Sequence, residues 1–213
     1  KPLSIFQNET YMKKIFTVLF VVSGLVLVYF IYEGSKEEIA IPNNSVDMAY
    51  PLKNGSFRVT FAGKSYGVHQ GNGEEYALDI VRVSSLKDLF GENITYGTPV
   101  YSPCNGHIKE IHDGEPDEKI FVKRKGAIAN KVIIGCQGFD VLMAHFRNGT
   151  FKVQEGDIVS IGDEIAQIGN SGYSDGPHLH ISAFILSEDK EKAIGVPMTF
   201  EGEYLVKGSI FSK

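Results

Sequence analysis

Hydrophobic and polar positions follow two regimes along the chain. Residues Ile15 to Tyr32 form a single uncharged apolar run, relieved only by Thr17, Ser23 and Gly24. As a helix this run would span about 27 Å, close to the roughly 30 Å hydrocarbon thickness of a bilayer. Lys13 and Lys14 precede it, while Glu33, Glu37 and Glu38 outnumber Lys36 just after it. The positive-inside rule then places the N-terminal side in the cytoplasm and the rest of the chain outside. The expected organisation is a cytoplasmic tip at 1–14, a transmembrane signal anchor at 15–32, a linker at 33–50 containing Pro42, and an exported domain at 51–213. A cleaved leader is the alternative, since Met12-Lys13-Lys14 before an apolar stretch also opens a secretory signal. No small-x-small site follows, and the run exceeds a leader core. Export results in either case. A buried core helix is disfavoured because the run has no amphipathic face.

Beyond Pro51 the pattern changes to short apolar runs cut by Gly and Asn. Alternation and β-forming residues predict strands at 57–61, 76–83, 99–101, 106–112, 131–136, 141–146, 158–161, 164–168 and 178–185. Residues 84–90 make the one plausible helical turn. Short strands joined by Gly-bearing turns indicate an all-β fold, an antiparallel sandwich or barrel-like core.

Composition sharpens this picture in two ways. The 213 residues are 43% hydrophobic and 22% charged, enough for one globular core, and the net charge is −5. With no basic stripe, a nucleic-acid partner is excluded. Only two cysteines occur, Cys104 and Cys136, both in the exported part. An oxidising compartment favours a disulfide between them. The alternative, a pair of thiolate metal ligands, lacks the usual CxxC spacing.

The chemistry-bearing residues are histidines and one aspartate. In His178-Leu179-His180, strand geometry would put both imidazoles on one face and Leu179 on the other. Asp79 sits in the apolar strand Tyr76-Ala77-Leu78-Asp79-Ile80-Val81, where a carboxylate is costly unless compensated. A divalent cation would compensate it; so would a salt bridge to Arg82 or a backbone hydrogen-bonding role. His69 lies in the Gly-rich approach to that strand, and His145 ends Val141-Leu142-Met143-Ala144-His145. Together these residues satisfy the composition of a three-ligand zinc site with spare imidazoles.

Several of these segments occur in a familiar order: Tyr76-Ala77-Leu78-Asp79, Gly97 to Ser102, His145, Val153 to Gly172, and Gly176-Pro177-His178-Leu179-His180. This order resembles the LytM/lysostaphin-type zinc metallopeptidases of family M23, over about residues 66 to 186. The resemblance implies that His69, Asp79 and His180 hold Zn2+ and that His145 and His178 are the catalytic imidazoles. One departure is the ten-residue gap from His69 to Asp79, where the family's shortest form has four. His107 and His112 match no functional position and read as surface residues. Asp175 and Ser182 are candidates to orient the ligand imidazoles.

The implied activity is zinc-dependent endopeptidase cleavage of bacterial cell-wall peptidoglycan peptides, by a domain held at the membrane by its N-terminal helix or secreted. The alternative within the resemblance is a non-catalytic LytM-type module that binds wall or activates another hydrolase. The rhythm of Val153 to Gly169 also resembles a lipoyl or biotinyl carrier. That reading fails for want of a lysine at a hairpin tip between Lys152 and Lys190.

Overall fold

The computed structural model describes residues 14–15, 17–26, 40–64, 69–84, 94–122, 124–189 and 191–213. Two compact units divide the chain, Lys1–Ala40 and Ile41–Lys213. In the first, residues 17–26 are helical, with Val18, Phe20 and Leu25 exposed. Among the described residues no helix is long and apolar enough to cross a membrane, so the spanning helix expected at 15–32 is not observed. Residues 16 and 27–32 of that segment, and residues 85–90 of the turn expected at 84–90, lie outside the described residues.

The second unit is built of β-strands: β1 (Val46–Met48), β2 (Ser56–Ala62), β3 (Leu78–Val83), β4 (Pro99–Tyr101), β5 (Gly106–His112), β6 (Lys131–Gly135) and β7 (Asp140–Ala144). After these come β8 (Ile158–Val159), β9 (Glu164–Gln167), β10 (Leu179–Leu186), β11 (Ala193–Val196), β12 (Met198–Phe200), β13 (Glu203–Tyr204) and β14 (Ile210–Ser212). The main sheet runs β14-β2-β3-β10-β7-β6-β5-β8, with β11 paired to the far half of β10. Its pairings are antiparallel, as expected for this class. A small sheet, β1-β12-β13, departs from that expectation, because β1 runs parallel to β12. Part of the segment at 33–50 expected as a linker is structured. Val46–Met48 belongs to the folded unit, and Met48, Tyr50 and Leu52 are buried.

Strand alternation explains the placement of the core. Phe57 and Val59 of β2, Leu78 and Ile80 of β3, Leu179 and Ile181 of β10, Val141 and Met143 of β7, and Val132 and Ile134 of β6 all point to one face. The small sheet packs on that face through Met198 and Phe200, and β9 adds Ile165. Tyr50 lies against Phe200 and Phe211, with ring centroids 5.5 and 4.6 Å apart, which ties both chain ends of the unit to β2. The intervening residues, including Arg58, Asp79, Leu142, Ala144 and His180, turn to the opposite face. There they line an open groove of about 1060 Å³. The sheet thus has one face packed and one face presented, with hydrophobicity dividing the two at a period of 2.

Cys104 and Cys136 form a disulfide, with their Cα atoms 6.0 Å apart. It joins the segment before β5 to the end of β6. Replacing both cysteines with serine is expected to cost about 2–5 kcal/mol, read as a lower urea midpoint in equilibrium unfolding. An unchanged midpoint would show that the bridge does not constrain the unfolded chain.

Candidate metal centre

The groove floor carries its polar residues where β3, β10 and β7 lie side by side. His180 is directly opposite Asp79 in the β10–β3 pair and opposite Ala144 in the β10–β7 pair. This register brings together residues 101 positions apart, with His180 Nδ1 3.1 Å from Asp79 Oδ1. The same oxygen lies 3.0 Å from His69 Nε2 and 3.5 Å from His178 Nε2. Neither the Arg82 salt bridge nor the backbone role considered for Asp79 is its principal contact. Arg82 instead donates to the Asn54 carbonyl at 2.7 Å.

His69 reaches the site from a loop that the ten-residue gap makes possible. Gly63 N–H donates to the Ala77 carbonyl at 2.8 Å, closing the base of the loop. His69 itself adopts φ 54°, an uncommon left-handed conformation for a non-glycine residue. Its Nδ1 lies 2.9 Å from the Gly63 carbonyl, so Nδ1–H donates there and Nε2 is directed at Asp79. His69, Asp79 and His180 are all buried, and one donor atom from each lies within 4.8 Å of the other two. Two imidazole nitrogens and a carboxylate oxygen converging this closely suit a zinc ion, which favours N and O ligands.

His145 and His178 stand beside this cluster, with ring centroids 4.5 Å apart. His145 immediately follows β7 at φ 68°, and its Nδ1 lies 2.7 Å from the Ser171 carbonyl. His178 Nδ1 lies 2.8 Å from the Gly176 carbonyl. Both Nδ1 atoms thus face main-chain carbonyls, and the Ser174 hydroxyl also lies 3.3 Å from His178 Nδ1. His107 is exposed at Gly106–His112, and His112 pairs with Glu115 at 3.1 Å, away from the site.

Electrostatics follow from this crowding. Burial would raise the Asp79 carboxyl, but hydrogen bonds from His178, His180 and His69 outweigh it and hold Asp79 well below the usual carboxylate range. Burial also pulls His69 down, yet its bond and attraction to Asp79 and its contact with the Gly63 carbonyl leave it raised. His178 is raised for similar reasons, burial again opposing Asp79 and the Gly176 carbonyl. His145 has no carboxylate partner of this kind. Burial, reinforced by repulsion from His178 and His180, pushes it down to about 3.

The turn that aims His145 depends on residues the sequence reading passed over. Buried Asn130 donates through Nδ2 to the Phe146 carbonyl at 3.0 Å and to the Glu115 carbonyl at 2.8 Å. Its main-chain N–H donates to Ser171 Oγ at 3.0 Å, and that hydroxyl donates to the Phe146 carbonyl at 2.8 Å. Gly169 admits the chain here, since a Cβ would sit 2.4 Å from Arg147 N. The Gly169-Asn-Ser-Gly172 string was the available signal, a cluster of turn formers between two strands.

Residues 91–192 match the model of peptidase family M23. The match includes His145, His178 and His180 and begins after Asp79, so the convergence of His69 and Asp79 on His180 is seen in the three-dimensional structure. No match is found among curated proteins. Among solved structures, the chain is similar to the antimicrobial peptidase lysostaphin from Staphylococcus simulans, at 21% identity and TM-score 0.43, covering 65% of this chain and 47% of that one. It is similar to a zinc containing peptidase from Vibrio cholerae at 16% identity and TM-score 0.46, covering 76% and 41%. A catalytic-domain variant of the prophage-encoded M23 protein EnpA from Enterococcus faecalis gives 17% identity and TM-score 0.44, covering 68% and 92%. The chain spans about half or less of the first two.

Proposed function

We propose, from the peptidase family M23 domain that residues 91–192 carry, that this chain is a zinc-dependent endopeptidase acting on peptidoglycan peptides. The observation that carries the reading is the convergence of His69, Asp79 and His180 within 4.8 Å, beside two further imidazoles on an open groove. A non-catalytic binding module has no need of this complete set.

His69 Nε2, Asp79 Oδ1 and His180 Nδ1 would hold the ion. When bound, zinc acts as a Lewis acid and lowers the pKa of a coordinated water to about 7. The groove floor between β2 and β6 has room for an extended peptide, oriented by the presented strand face. His145 and His178, each fixed through Nδ1 to a carbonyl, offer Nε2 to take a proton from the attacking water and pass one to the leaving amine. An extracellular location at the cell wall belongs to the same reading. The Cys104–Cys136 disulfide suits an oxidising compartment.

The test is to digest purified peptidoglycan with the full chain and follow new amino groups and released peptides by mass spectrometry. Release should stop on chelation and return with added zinc. A chain that takes up stoichiometric zinc and releases nothing would favour the non-catalytic module.

A further inference from the structure

Among the described residues, His180 Nε2 is buried and has no hydrogen-bond partner. Its exposed share is small, with the residue 6% accessible, so water does not readily replace the missing partner. When Nδ1 ligates a metal with its lone pair, the imidazole proton must reside on Nε2. A buried N–H without an acceptor costs about 1–3 kcal/mol. The carboxylate oxygen facing it is Glu74 Oε1, at 3.9 Å, beyond hydrogen-bond range but close to it.

Glu74 is already half committed to the correct position. Its other oxygen, Oε2, accepts the Gly71 N–H at 2.7 Å. Gly71 also makes room for the carboxylate, since a Cβ there would lie 2.8 Å from the Glu74 carboxyl carbon. The neighbouring Glu75 faces the other way, accepting Gly195 N–H of β11 at 2.8 Å and pairing with Lys64 at 3.0 Å. The loop therefore presents one carboxylate inward and one outward.

We infer that Glu74 is a positioning residue for the metal centre: its Oε1 accepts the Nε2 proton of His180 and fixes the tautomer in which Nδ1 is free to ligate. The inference rests on the metallopeptidase reading. The two oxygens of Glu74 face two N–H donors, Gly71 N and His180 Nε2. A carboxylate satisfies both, whereas a glutamine amide satisfies one and opposes the other with its own N–H. Carboxylate partners of this kind orient a ligating imidazole and raise its basicity, and losing one costs about 10- to 100-fold in metal affinity.

The experiment is zinc titration of the full chain against a chromophoric chelator, comparing wild type with Glu74→Gln, Gly71→Ala, Glu75→Gln and His180→Ala. Glu74→Gln should bind zinc about 10- to 100-fold more weakly. Gly71→Ala, which crowds the carboxylate without touching a ligand, should shift affinity the same way. Glu75→Gln, on the outward side of the loop, should bind as wild type. In the zinc-loaded wild type the His180 Nε2 proton should give a deshielded NMR signal that moves upfield in Glu74→Gln, a signature a merely structural role would not produce. If His180→Ala loses zinc while Glu74→Gln binds as tightly as wild type, the role of Glu74 is overturned and the metal reading stands. If the wild type takes up no stoichiometric zinc, both fall.

Discussion

Asp79→Ala is expected to remove stoichiometric zinc from the chain and to lower the rate of peptide release by about 1,000-fold or more, since a metal contributes several kcal/mol to the transition state. Asp79 Oδ1 is the atom on which the site is centred, within 3.0 Å of His69 Nε2 and 3.1 Å of His180 Nδ1. Without it two neutral imidazoles remain, a poor tetrahedral site. The fold should survive, because the side chain faces the groove and the Asp79 carbonyl still accepts Thr60 Oγ1 at 3.1 Å. Zinc content by elemental analysis, beside a thermal melt, reads both effects. Full zinc retention in the variant would sink the ligand assignment.

The same substitution has a pH signature in the metal-free protein. His69 and His178 are raised by Asp79, so their stabilisation is fully present below the unfolded value of about 6.5 and is lost as pH rises through their folded values. His145, pushed down to about 3, acts oppositely and loses stability as pH falls below about 6.5. The depressed Asp79 carboxyl contributes above about 3.9 and loses its contribution in stronger acid. The cluster therefore stabilises the wild type most near pH 6.5. In Asp79→Ala the fall on the alkaline side should flatten, as followed by urea unfolding across pH.

Which parts of this site the sequence discloses depends on the range of the interactions involved. Alternation is local, so Phe57 and Val59 could be assigned to the core and Asp79 and His180 to the other face from their neighbours alone. The direct opposition of Asp79 and His180 depends on a pairing between strands 101 residues apart, which no local pattern specifies. Family resemblance supplied it. β1 escaped notice because Val46-Asp47-Met48 is short and borders a polar stretch, and its partner β12 lies far along the chain. The register shift in β2 between Val59 and Phe61 brings Phe61 opposite Asp79, and nothing in the residues announces it. His145 reads as a strand end, but its left-handed turn is enforced by Asn130 and Ser171 through tertiary hydrogen bonds. The apolar run at 15–32 shows the reverse case, a strong one-dimensional signal for which no membrane-crossing helix is found among the described residues.

Replacing His145 or His178 with alanine is expected to leave zinc bound one to one and to lower the turnover number by about 100- to 10,000-fold, the usual scale for a positioned proton donor or acceptor. Neither ring belongs to the three-donor convergence, yet their centroids are 4.5 Å apart and His145 lies 6.0 Å from His180. Their Nδ1 atoms are occupied by the Ser171 and Gly176 carbonyls, so any proton they exchange with substrate passes through Nε2. The double variant should be little worse than either single one, because two groups on one proton path act as a unit. Zinc content separates this outcome from that of Asp79→Ala, where metal and activity vanish together. If His145→Ala also lost its zinc, the ring would belong to the ligand set. If both single variants hydrolysed wall at the wild-type rate, proton transfer would lie elsewhere in the groove. A fall in turnover with metal retained divides the five residues into three that hold the ion and two that move the proton.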